Sequence, residues 1–78
     1  MTILKEMKKA DMITIMLDNE YPEAWGLWLN YNQEHKRRPR SYEALRADAE
    51  HNLLYHVLKA DIYEMFRDYL YWKITKVN

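Results

Sequence analysis

The sequence predicts an all-α protein, a small three- or four-helix bundle whose C-terminal segment is long and bent. Three observations carry that reading. From Ser41 to Asn78 there is neither Gly nor Pro, and apolar residues recur at helical spacing while their face rotates partway along. The remainder holds one strand-like run, Met12 to Leu17, with no second run to pair with it. Pro22, Pro39 and Ser41 stand where helix ends are expected.

The first helix is expected from about Ile3 to Leu17. Ile3, Leu4, Met7 and Ala10 share one helical face, and the branched Met12 to Leu17 run, which suits either a strand or a buried helical turn, is read as helix for want of a pairing partner. The second is expected from Pro22 to Lys36. Proline at its first position loses no hydrogen bond, because the first amides of a helix have no partner in it. On this helix Tyr21, Ala24, Trp25, Leu27, Trp28, Leu29 and Tyr31 span about 200° of arc, which is too wide for one neighbour. It should end between His35 and Arg38, because Pro39 disfavours helical geometry in the residue before it.

Ser41 is expected to cap a third helix running to Lys59, with Glu43 favourably placed in its first turn. Taking Ser41 as zero, Tyr42, Leu45, Ala49, Leu53, His56, Val57 and Ala60 fall between about 40° and 160°. Ile62, Met65, Phe66, Tyr69, Leu70 and Trp72 fall nearly opposite, mostly between about 220° and 20°. An unbroken rod from Ser41 to Val77 would be roughly 55 Å long, against a radius of gyration of about 11 to 12 Å for a compact chain of this length. Either the helix breaks or it projects its second stripe into a partner chain; a bend or break near Lys59 to Asp61 is the favoured expectation, with Asp61 and Glu64 as a capping box opening a fourth helix to Lys76, the alternative being one bent helix.

Residues 1–78 read as a single all-α domain near the size at which one core is marginal. There is no cysteine to supply a disulfide or a thiolate metal site. Three Trp, seven Tyr and one Phe supply area instead, and they are also the residues that interfaces favour. Twelve basic residues balance twelve acidic ones, which argues against a nucleic-acid mimic and against a strongly basic nucleic-acid binder. No apolar run approaches the length of a membrane span and the start has no signal-peptide pattern, so a cytoplasmic protein with no membrane partner is the expectation.

The sharpest local signal is His35-Lys36-Arg37-Arg38-Pro39-Arg40. Its four permanent charges suit phosphates or an acidic protein surface, and equally complement the C-terminal pole of the second helix, whose N-terminal side carries Asp18, Glu20 and Glu23. A helix-turn-helix reading is weak, since Tyr42 to Arg46 would present one cation and the repelling Glu43 to the groove. His51 and His56 are five apart, wrong for two ligands on one helix face; Asp48 and His51 make only two ligands, and no metal or cofactor is expected. His56 lies in the apolar stripe and is expected to be packed. Ser41 is accounted for as a cap, no cysteine nucleophile or Gly-rich phosphate cradle exists, and the chain is not expected to be an enzyme.

The expectation is a non-catalytic protein-binding regulator or inhibitor, of a size that mobile genetic elements often encode, and a homodimer. Its candidate binding residues are Trp25 and Trp28 on the second helix, Tyr63, Tyr69, Tyr71 and Trp72 on the last, and Lys36, Arg37, Arg38 and Arg40 in the basic loop. Tyr71 lies beside Arg67 and Glu64, off the second stripe. The alternative is a nucleic-acid-binding protein using residues 35–40 for phosphate contacts.

Overall fold

The computed structural model of the protein describes residues 7–35 and 40–77. Among them are four helices and no strand: α1 Lys9–Asp18, α2 Pro22–His35, α3 Tyr42–His56 and α4 Lys59–Val77. Helix α1, the shortest, occupies the centre and packs against the other three. That explains why Met12 to Leu17 is ambiguous in sequence. A helix contacted on several sides has little polar face to reveal its period, and Met12, Ile13, Met16 and Leu17 are all fully buried. Each side chain of this size contributes about 1.5 to 3 kcal/mol when removed from water.

The turn after α1 sets the direction of α2. Asn19 caps α1, the amide of Glu20 donates to the Leu17 carbonyl at 3.1 Å, and the amide of Tyr21 donates to the Met16 carbonyl at 3.0 Å. This pair of bonds is the Schellman pattern, whose first residue beyond the cap adopts the left-handed region. That residue is Glu20, at φ 55°, where glycine is the usual choice. Tyr21 and Met16 supply the accompanying apolar contact, both inside the core. Pro22 opens α2 immediately, as expected from the sequence.

The polar contacts fix the topology. Thr14 donates to Glu50, Lys9 donates to the Leu54 carbonyl, and Arg46 bonds Asp18, so α1 and α3 are antiparallel. Trp25 meets Tyr42, Trp28 meets Asp48 and Tyr31 meets His56, so α2 and α3 run in the same general sense. Lys73 near the end of α4 donates to Asn19 at the end of α1 at 2.7 Å, which makes those two parallel. The order is up-down-down-up.

Ser41 caps α3 as expected, its Oγ accepting from the Ala44 amide at 3.1 Å. The break between the last two helices falls earlier than Lys59 to Asp61. Helix α3 ends at His56, Val57 is extended at φ −109° and ψ 135°, and α4 begins at Lys59. Val57 packs against the core and holds the corner. Asp61 is thus not a cap but a first-turn residue of α4, where its charge still faces the positive end of the helix.

The second stripe is borne out, with Ile62, Met65, Phe66 and Tyr69 buried and Leu70 and Trp72 half-buried against the core. The first holds only in its middle. Ala49 and Leu53 are buried, while Tyr42 and His56, at the two ends of α3, are exposed, and Ala60 falls beyond the corner on the outward face of α4. The opposed stripes reflect two separate helices meeting one centre. The molecule measures 40 × 28 × 19 Å with a radius of gyration of 12.8 Å, and Tyr71 and Ile74 lie outside the core on the outward face of α4.

Candidate functional site

The expected binding residues separate into three places. Trp28 and Tyr69 are core residues, 2% and 4% exposed, which corrects their assignment to a binding surface of this chain. Trp28 carries its polar edge inward with it, donating from Nε1 to Asp48 Oδ2 at 2.8 Å. Tyr69 sits between Phe66 at 5.4 Å and Tyr21 at 5.4 Å, ring centre to ring centre. Burial raises its phenol pKa above the ordinary value. The helical period already placed Tyr69 on the second apolar stripe and Tyr71 off it, and packing against the core buries that stripe.

Trp25 and Trp72 lie at the margin of the core. Trp25 stands edge-on to Trp28 at 5.8 Å and donates to the Leu17 carbonyl at 3.2 Å. Its outer side, with Glu20, Pro22, Tyr42 and Leu45, lines a recess of about 370 Å³ between the starts of α2 and α3. Trp72 covers Tyr21, ring centres 5.1 Å apart. The Tyr21 hydroxyl donates to Glu23 at 2.7 Å, and burial first, then this bond and the Glu23 charge, push its pKa well above the ordinary value.

The third place is open to solvent. Tyr71 is 73% exposed, and Tyr63 is half-buried beside a recess of about 480 Å³ formed with Lys59, Ala60, Glu64 and Arg67. Leu58, just ahead of α4, and Ile74, near its end, which the sequence did not single out, are 71% and 66% exposed. A further recess of about 480 Å³ runs between α2 and α4, lined by Gly26, Leu27, Leu29 and Met65 with polar Glu23, Asn30 and Gln33. It lies along the wide apolar arc of α2, where Leu27 and Leu29 are 36% and 49% exposed.

Of the basic loop, Arg40 is exposed just ahead of the Ser41 cap. Lys36, Arg37 and Arg38 lie outside the described residues. Arg46, the cation that a groove-reading helix would need, is engaged elsewhere. It bonds Glu50 at 2.6 Å and Asp18 at 2.8 Å, and approaches the Thr14 carbonyl at 3.5 Å, clamping α3 to α1. Burial works against its charge, but the bonds to Glu50 and Asp18 outweigh it and hold its pKa above the usual arginine value.

The histidines do not converge. His51 stacks on Tyr55 at 4.6 Å, and His56 is exposed, not packed in the core as expected, with its Nε2 2.9 Å from the Tyr31 hydroxyl. The direction of α2 brings Tyr31 to that end of α3. Among the described residues no group of three or more His, Cys, Asp or Glu is arranged to hold a metal ion, and no helix is long and apolar enough to cross a membrane. Comparison with protein-family models, with curated proteins and with solved structures yields no match, so a functional reading rests on the geometry of the chain itself.

Proposed function

We propose that the chain works by binding rather than by chemistry, as a small protein-binding regulator or inhibitor that also self-associates. The observation that carries this reading is the set of large apolar side chains left outside a filled core. Leu29, Tyr42, Tyr55, Leu58, Tyr71 and Ile74 are each 49% or more exposed, while Met12, Ile13, Met16, Leu17 and Ile62 already close the centre. Aromatic and apolar anchors of this kind carry most of the energy of protein interfaces. The test is capture of a protein partner by the intact chain, repeated with a Tyr71→Ser/Ile74→Ser variant. Loss of the captured protein in that variant supports the reading, and unchanged capture moves binding away from α4.

A nucleic-acid role is the second reading, favoured by the exposure of Arg40 and of Tyr42 two residues on, a cation and a stacking ring on one end of the molecule. Salt distinguishes the two. Binding through phosphates weakens steeply and linearly on a log-log plot of affinity against salt, whereas an aromatic interface responds far less.

A further inference from the structure

The outward face of α4 has an order of its own. Ala60, Glu64, Arg67, Tyr71 and Ile74 follow one another at alternate steps of four and three residues, and every one of them is exposed. On a helix this spacing draws a nearly straight seam, here about 180° from the buried line of Ile62, Met65, Phe66 and Tyr69. Alternation of four and three is the arrangement by which two helices interlock along their length. A merely solvated face would not need Tyr71 and Ile74 on that line, 73% and 66% exposed.

We infer that this seam seats the α4 of a second copy of the chain, running antiparallel, with Glu64 of each copy paired to Arg67 of the other. The inference rests on the self-associating reading above and names its surface. Charge chooses both the occupant and the direction. Two parallel copies in register would set Glu64 against Glu64 and Arg67 against Arg67, whereas an antiparallel pair centred between these residues brings opposite charges together twice. Neither Glu64 nor Arg67 makes an ion pair within the chain among the described residues, so both are available to a second copy.

The same register matches sizes. It places Tyr71 of one copy over Ala60 of the other, where the small side chain leaves open the recess of about 480 Å³ lined by Lys59, Ala60, Tyr63, Glu64 and Arg67. Tyr71 is the largest side chain on the seam, 73% exposed, and it faces the shallow recess beside Ala60, so large and small side chains alternate symmetrically about the twofold axis. Ile74 meets the corner at Val57 of the other copy. A single helix pair is a small interface beside the standard one of about 1,600 Å², so the charge pairs and the Tyr71 anchors set its strength more than its area does.

Sedimentation equilibrium of the intact chain at micromolar concentration tests this, with circular dichroism as the folding control. The wild type should be a dimer that weakens with added salt. Arg67→Glu and Glu64→Arg should each weaken it by about tenfold or more, because each sets like charges face to face. An equimolar mixture of these two variants should dimerise again, and so should the double variant Glu64→Arg/Arg67→Glu, which restores opposite charges only in the antiparallel arrangement. A monomeric wild type overturns both this inference and the self-association proposed above. A dimer indifferent to Arg67→Glu overturns the seam alone and leaves self-association to another face. A double variant that stays monomeric overturns the antiparallel pairing.

Discussion

The indole of Trp28 donates to the carboxylate of Asp48 at 2.8 Å, and this one bond joins the middle of α2 to the middle of α3. Both helices run the same way there, so the bond holds a parallel pair that no tight hairpin could produce. Trp28 is 2% exposed, and its polar edge needs an acceptor as much as its rings need the core.

Replacing Trp28 by Phe should therefore cost more than the lost area suggests. The phenyl ring keeps much of the packing against Trp25 but removes the donor facing a half-buried carboxylate. A hydrogen bond to a charged group contributes about 1.5 to 3 kcal/mol, and urea denaturation should show a loss of at least that size. A loss well below it would mean that solvent readily replaces the indole at Asp48.

The clamp at Arg46 should respond to salt. Its side chain is 16% exposed, but Asp18 and Glu50 are 58% and 37% exposed, so solvent screens both pairs. Arg46→Met, which keeps the aliphatic stem, should destabilise by about 1 kcal/mol at low ionic strength. Repeating the denaturation at high salt should shrink the difference, since screening already weakens the pairs in the parent.

Glu20 offers a gain in stability. It holds φ 55° at the turn between α1 and α2, a conformation that costs a residue with a Cβ about 1 to 2 kcal/mol. Glu20→Gly removes that strain but adds freedom to the unfolded chain, leaving a net gain of about 0.5 to 1 kcal/mol. An upward shift of the melting temperature would show it. A downward shift would mean that the Glu20 side chain stabilises the turn in some other way.

Alkali should unfold this protein earlier than its charge balance suggests. Tyr21 has its pKa raised by burial and by the bond to Glu23, and Tyr69 is raised by burial. Above the ordinary phenol value of about 10 the unfolded chain gives up these protons while the folded one keeps them, so it binds fewer protons and stability falls as pH rises. The contribution is fully present below about pH 10 and is lost progressively toward the folded-state value. Thermal melts across that region should show the decline, and Tyr21→Phe should flatten it while removing about 1 kcal/mol of hydrogen bonding at neutral pH.

Features that depend on a few consecutive residues were legible in the sequence. Pro22 opens α2 because a missing amide costs nothing at that position, and Ser41 caps α3 with its own oxygen. Both follow from backbone chemistry within a turn, while the rotating stripe, read over many turns, favoured a bend or break before the last helix. The position of the break was displaced by two residues because Val57 reaches the core while Asp61 suits a first turn as well as a cap.

What only the tertiary structure decided is which side of each helix meets another. The left-handed turn at Glu20 and the shared direction of α2 and α3 place α1 in the centre, and that placement buries Trp28 and leaves His56 against Tyr31 outside. An aromatic residue carries the same area whether it faces a core or a partner. Composition therefore announced surplus aromatic surface, but the seam of Ala60, Glu64, Arg67, Tyr71 and Ile74 became visible as a surface only once the opposite side of α4 was seen to be filled by α1.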